Sequence, residues 1–212
     1  MTVAPDPFDS THLARRVYRL APPPVEVPAD AGMVVARVEP GREGPLLAAG
    51  FRLVERLLRF AGPCRPGPLP PGIRPARPAD HPAIAGIPVT ESRFHADPLI
   101  ARRHADAAMA AWLAANLAGR ADQVLVAEDD GIAGHVMLRA GTIDLIAVAP
   151  GRRRQGWGRL LVAAALAAGE GDLAVGAQSG NAAAVALYRA AGLVPAGSLL
   201  TLHWHRSADQ PE

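Results

Sequence analysis

Along this 212-residue chain, short apolar runs alternate with polar and glycine-rich breaks, and their spacing predicts the elements. Thr142 to Val148 reads as a strand, followed by the tight turn Ala149-Pro150-Gly151, three arginines (Arg152 to Arg154), the glycine pair Gly156 and Gly158, and an apolar helix running to Gly169. From Gly72 the elements before it are a strand (Ile73 to Arg77), a short helix opened by Ala79-Asp80-His81-Pro82, and a longer helix capped by Asp97 with Pro98 at its first position. That helix carries Ile100, Ala105, Ala108, Met109, Trp112, Leu113 and Leu117 on one broad apolar face and ends at Gly119. Gln123 to Ala127 and Gly134 to Leu138 form two strands about the hairpin signal Asp129-Asp130-Gly131. After the glycine pair and its helix come a strand (Leu173 to Ala177), a helix from Ala182 to Ala191 capped by Asn181 and closed by Gly192, and a last strand, Leu199 to His205. The order predicts an α/β fold: a mixed sheet covered by helices.

The part before Gly72 is less regular. Residues 10 to 20 fit a helix capped by Ser10, with Leu13, Val17 and Leu20 on one face. Ala21-Pro22-Pro23-Pro24 then stops it and reads as a linker. Met33 to Val38 predicts a strand and Leu46 to Gly50 a short helix, while Phe51 to Phe60 fits either period. The five prolines from Pro63 to Pro71 mark the boundary expected between a small N-terminal domain, residues 1–71, and a main domain, residues 72–212.

Composition narrows the chemistry. All 22 basic residues are arginine, which excludes a Schiff-base lysine and the lysine of a P-loop. A net charge of +2 and few aromatics argue against nucleic acid as the main partner. No apolar run nears the roughly 18 residues of a membrane span, and the first residues lack a signal core, so a cytoplasmic location is expected. Cys64 is the only cysteine, which leaves no internal disulfide or cysteine-rich zinc site. His203 and His205 point to one side of a strand but lack a third ligand nearby in sequence, so no metal is expected.

A strand, then a basic glycine-rich loop, then a helix start is an arrangement that holds phosphate, because the first helical N–H groups have no intrahelical partner. A dinucleotide-binding reading would require a third glycine where the chain has Leu161. Arg153-Arg154-Gln155-Gly156-Trp157-Gly158 instead resembles the Q/R-x-x-G-x-G/A loop of the GCN5-related N-acetyltransferase (GNAT) family. Asn181-x-x-Ala184-x-x-Leu187-Tyr188, followed by Gly192-Leu193, is similar to that family's fourth-helix motif. The resemblance implies the GNAT fold, acetyl-CoA as co-substrate, and direct transfer of acetyl to an amine. It implies that Arg153, Arg154, Gln155, Gly156, Trp157, Gly158 and Arg159 hold the pyrophosphate. Ala147 and Val148 would supply strand N–H groups, Asn181 would touch the pantetheine or phosphate arm, and Tyr188 would protonate the leaving thiolate.

A narrower likeness concerns the acceptor. Ser92-Arg93-Phe94 with Asp97-Pro98, Ile143 to Val148, Val175-Gly176-Ala177-Gln178 and Leu202-His203-Trp204-His205 resemble the family of dTDP-fucosamine acetyltransferases and related sugar-nucleotide enzymes, as does Leu46 to Phe51 in the N-terminal part. The likeness implies a nucleotide-linked amino sugar as acceptor, with Ser92, Arg93 and Phe94 on its side of the site. Arg93 would grip a phosphate, or else be a solvated helix-entry residue. Asp144 is a candidate base for the amine, or else a sheet carboxylate that orders neighbouring N–H groups. An aminoglycoside, a polyamine, a protein N-terminus, or a regulatory module that binds acetyl-CoA without turnover remain the alternatives, and a homodimer is compatible with each.

Overall fold

The computed structural model describes residues 3–20 and 27–206. The linker expected at Ala21 to Pro24 lies outside the described residues. Among them the chain forms ten strands and seven α-helices: β1 (Val3–Pro5), α1 (Pro7–Leu13), β2 (Val17–Leu20), β3 (Met33–Val38), α2 (Gly44–Ala48), β4 (Arg52–Pro63), β5 (Ile73–Pro75), α3 (His81–Ala85), α4 (Arg93–Ala96), α5 (Arg102–Ala115), β6 (Gln123–Asp129), β7 (Gly131–Arg139), β8 (Thr142–Val148), α6 (Trp157–Ala168), β9 (Asp172–Gln178), α7 (Ala182–Ala190) and β10 (Val194–His205). Pairing is mostly antiparallel, and β2–β3 and β8–β9 are parallel. The chain divides into two compact units: Met1–Leu58 with Thr90–Met109 and Ser198–Glu212, and Arg59–Val89 with Ala110–Gly197.

In the first unit the strand order is β1-β2-β3-β10. The unbroken apolar run Met33-Val34-Val35-Ala36 suits a strand covered on both faces. Met33 and Val35 pack with Leu13, Val17, Phe94, Ile100, Ala105 and Ala108, whereas Val34 and Ala36 pack with Leu20, Leu46, Phe51, Leu200 and Leu202. Each of the larger side chains contributes about 1.5–3 kcal/mol by leaving water.

Residues 10 to 20 are not one helix. Asp6 caps α1 by accepting from the Asp9 N–H, Pro7 opens it, and Ala14 ends it in the left-handed region (φ 52°). Ser10 sits inside the helix, and its hydroxyl accepts from the Val17 N–H at 2.9 Å. Val17, Tyr18, Arg19 and Leu20 then pair with β3. The 3–4 spacing of Leu13, Val17 and Leu20 mimicked a helix, but a non-local ladder claims the second half. Asp97 likewise does not cap α5, which starts at Arg102. It follows α4, and its carboxylate accepts from the Leu99 N–H.

In the second unit, to which β4 belongs from Arg59 onward, the strand order is β4-β9-β8-β7-β6-β5. The segment 51–60, open in the sequence, is mostly strand: β4 runs from Arg52 to Pro63. Helix α6 packs across β6, β7 and β8 through Leu161, Val162, Ala165 and Leu166. The proline-rich run after β4 is tied to the end of α6: Arg65 N–H donates to Leu166 O and Gly67 N–H to Ala167 O, so the last carbonyls of the helix have partners. No described helix is long and apolar enough to cross a membrane.

Gly134 leaves no room for a side chain between β7 and β8, since a Cβ built there lies 2.7 Å from Ala147 O and 3.2 Å from Val148 Cα. Backbone atoms cannot give way as a side chain can. Gly134→Ala is expected to lower the unfolding free energy by about 1–3 kcal/mol in urea titration, while Gly180→Ala, where a Cβ meets nothing within 4 Å, changes it by less than about 0.5 kcal/mol.

Candidate active site

The candidate site is built on the second unit, where β8 parts from β9. The two strands pair only at Thr142–Ala174 and Ile143–Val175 among the described residues, although β8 continues to Val148 and β9 to Gln178. On its other side β8 stays in register with β7, pairing Ala147 with His135 and Val148 with Gly134. Ala149 N–H donates to Ala133 O at 2.8 Å. Antiparallel hydrogen bonding alternates, so Leu145 and Ala147 also turn their N–H groups towards β7, whereas Ile146 and Val148 turn theirs towards the side β9 has left. Arg153 Nε donates to Val148 O at 3.2 Å, which agrees with that orientation. Of the two strand residues expected at the site, Val148 offers its N–H to the open edge and Ala147 does not. Ile146 joins Val148 there, and only the register reveals it.

The loop after β8 is held from both ends. Arg152 bonds Asp129 at 2.9 Å and Asp130 O at 2.8 Å, and Gln155 Nε2 donates to Gly151 O at 3.2 Å. Between these anchors Arg154 (φ 64°) and Gly156 (φ 92°) adopt left-handed conformations. The backbone N–H groups of Arg154, Gln155, Gly156, Trp157 and Gly158 have no acceptor among the described residues, and the next two, Arg159 and Leu160, fold back on Gly156 O. Five successive free donors at a helix start, with alternating backbone handedness, form a concave anion nest. Arg154 and Arg159 are exposed beside it. The Trp157 ring packs on Gly72, 3.2 Å from where a Cβ of that glycine would stand.

Helix α7 follows. Asn181 caps it, Oδ1 accepting from the Ala184 N–H at 3.0 Å, which leaves the amide NH2 for other partners. Tyr188 is buried, with its ring tilted against Phe60 at 5.9 Å. Burial pushes its phenol up to about 12, so it holds its proton throughout the physiological range. No hydrogen bond to that hydroxyl is present among the described residues, so the proton is uncommitted.

Asp144 is committed elsewhere. Its carboxylate accepts from Trp112 Nε1 at 2.8 Å, Asn116 Nδ2 at 2.7 Å and Arg120 at 2.7 Å, and the Arg120 guanidinium lies 4.2 Å over the Trp112 ring. Burial pushes its pKa up, but the bonds from Arg120, Asn116 and Trp112 outweigh that and hold it below the usual carboxylate range. A carboxylate so saturated clamps helix to strand and is a poor base.

Ser92, Arg93 and Phe94 belong to the first unit and are engaged within it. Ser92 caps α4 and its hydroxyl bonds His95 Nδ1 at 2.7 Å. Arg93 pairs with the fully buried Asp9 at 2.8 Å, and Phe94 is 1% exposed. His203 and His205 have a third companion that spacing did not reveal. His203 Nδ1 and His205 Nε2 meet Asp97 Oδ2 at 2.6 and 2.7 Å. All three ligand atoms lie within 4.8 Å of one another, the composition of a metal site. Their outer contacts oppose one. A metal on His205 Nε2 requires a proton on Nδ1, where Arg15 already presents a donor at 3.0 Å, and His203 Nε2 is buried with no acceptor for the proton it would carry. Both imidazoles instead donate to Asp97, which holds its carboxyl ionised against the effect of burial.

A family model, the acetyltransferase (GNAT) family, matches residues 90–193. Solved structures similar to this chain include a GCN5-related N-acetyltransferase from Sphaerobacter thermophilus (19% identity, 84% of this chain and 62% of that one, TM-score 0.51). Others are a GNAT-family acetyltransferase from Novosphingobium aromaticivorans (18%, 94% and 81%, 0.52) and a GCN5-related N-acetyltransferase from Kribbella flavida (18%, 89% and 80%, 0.53). The chain thus spans less than two thirds of the length of the Sphaerobacter protein. A search of curated proteins finds no match. The fold is the GNAT fold, shared with these structural neighbours, and the GNAT family model matches just under half of the chain.

His135, opposite Ala147, is fully buried with neither ring nitrogen bonded, and burial lowers its pKa to about 4. The unfolded chain protonates this histidine near pH 6.5 and the folded chain does not until about pH 4, so stability is unaffected above 6.5 and falls as pH drops between those values. Between pH 7 and 5 the loss from this residue is on the order of 2 kcal/mol. In urea titrations at the two pH values, His135→Leu should lose that much less than the parent chain; an equal loss would show that His135 is protonated in the folded protein.

Proposed function

We propose that this chain is an N-acetyltransferase that moves acetyl from acetyl-CoA directly to a primary amine. The observation that carries the reading is the run of five acceptor-free N–H groups from Arg154 to Gly158. A pyrophosphate needs several donors converging on it, and a neutral ligand would leave this nest unsatisfied. Arg153, Arg154 and Arg159 add charge beside it. The open edge of β8 suits the extended, amide-bearing pantetheine arm, with Ile146 and Val148 as N–H donors to it and to the thioester carbonyl, where donors stabilise the oxyanion of transfer. Asn181 would meet the same arm through its amide NH2.

In this reading the amine attacks as the free base, and a water chain takes its proton, since Asp144 is saturated. Tyr188 gives its own proton to the departing sulfur. A thiol of pKa about 8.5 already leaves fairly well as thiolate, so the acid is a partial contributor.

For the acceptor, the sequence resemblance favours a nucleotide-linked 4-amino sugar of the dTDP-amino-deoxyhexose type. Ser92, Arg93 and Phe94 would then act as the scaffold of the acceptor side. A second reading has its own observation: the Arg93 charge is met by Asp9, which favours an amine without a nucleotide phosphate.

Thiol release from acetyl-CoA is the test, run with dTDP- and UDP-linked amino sugars and with non-nucleotide amines. Turnover confined to the second group removes the sugar-nucleotide assignment, and binding of acetyl-CoA without turnover on any amine supports a regulatory module instead. Tyr188→Phe is expected to lower kcat by roughly one to two orders of magnitude with little change in acetyl-CoA affinity; an unchanged kcat takes Tyr188 out of the mechanism.

A further inference from the structure

The two glycines of the phosphate loop are required for different reasons. Gly156 has φ 92°, a conformation that L side chains rarely adopt, and a Cβ built on it meets nothing within 4 Å. Its need is conformational. Gly158 is the reverse case. It lies in the first turn of α6 with ordinary helical backbone, but a Cβ there would stand 3.3 Å from Leu187 Cδ2 and 3.7 Å from Cδ1. Its need is therefore space, and the group that takes the space is the residue preceding Tyr188.

Resting on the acetyltransferase reading above, we propose that Gly158 is a positioning residue: by carrying no side chain it lets α7 seat against the first turn of α6 through Leu187, and so sets the distance between the anion nest and Tyr188. Leu187 and Tyr188 are neighbours on α7, and Tyr188 is fixed from another side by the Phe60 ring. A side chain at residue 158 is met first by Leu187. A methyl asks a flexible leucine end to shift by a few tenths of an ångström; a branched side chain asks α7 to move. Tyr188 moves with it, while Gly156 and the N–H groups of the nest keep their conformation. The step affected is proton delivery to sulfur, and the affinity for the phosphates is spared. This separates a spacing role from a phosphate-approach role, in which bulk at residue 158 would obstruct the ligand itself.

The test is a series at residue 158 crossed with Leu187→Ala, which removes the obstructing methyls. Acetyl-CoA Kd by calorimetry, kcat by thiol release, and thermal unfolding as a check of folding are measured on each protein. Gly158→Ala should lower kcat a few-fold and Gly158→Val at least tenfold, with Kd within about twofold of the parent in both. Leu187→Ala in the same chain should return kcat to within about threefold of Leu187→Ala alone. The alanine variant keeps the test decisive should the valine variant fail to fold. A Kd that rises as far as kcat falls, or a loss of kcat that Leu187→Ala does not relieve, overturns the spacing role. Tyr188→Phe measured alongside separates the two claims: if it is inert while the Leu187 rescue holds, the proton-donor reading fails and the spacing of α7 stands; if it is impaired without rescue, the spacing fails and the donor reading stands.

Discussion

A strand inside a sheet has hydrogen-bonding groups on both edges, and the second unit depends on leaving one of those edges unfilled. Beyond Ile143, β8 keeps its ladder with β7 but has no partner in β9. Unsatisfied peptide groups are costly when buried, so such an edge persists in a folded protein only where water or a ligand can reach it. The edge leads towards the nest at the start of α6, so two sets of free backbone donors, one on the strand and one at the helix start, flank a turn whose Ala149, Arg152 and Arg153 N–H groups are engaged. Its chemistry belongs to the main chain, which explains why the side chains around it vary in function: Arg152 anchors the loop, Trp157 packs, and Arg154 and Arg159 stand exposed.

The first unit follows a different rule. Its charged residues are numerous and mostly paired internally: Asp9 with Arg93 and Arg19, Asp6 with Arg19, Glu55 with Thr201, and Asp97 with two histidines. Burying a charge is tolerated only with such partners, and removing one partner costs far more than the pair contributes. Side chains that resemble an acceptor site in sequence are thereby employed as internal wiring. The same residue types in the same order are compatible with recognition and with scaffolding, and only their partners tell the two apart.

Much of the second unit was legible because its signals are local. The strand Thr142 to Val148, the cap at Asn181, the hairpin at Asp129 to Gly131 and the loop before α6 depend on residues a few positions apart, and the structure has each of them. What escaped depends on distant partners. Val17 to Leu20 is strand because β3 pairs with it, Asp97 is drawn from a helix cap to histidines more than a hundred residues on, and β4 is strand although its own pattern was ambiguous. The contribution of Ile146 was invisible for a subtler reason: which N–H groups face the open edge is set by register with β7, and a shift of one residue would exchange Ile146 and Val148 for Leu145 and Ala147.

The proline-rich strap has a consequence for the energetics of the nest. Arg65 and Gly67 satisfy carbonyls at the foot of α6, and prolines stiffen the segment that carries them. The helix is therefore braced at the end remote from its free donors, like a post set in masonry, and its donors are already aligned before any anion arrives. Were an anion held there, as proposed, little conformational entropy would be lost in fixing the helix that carries the last of these donors.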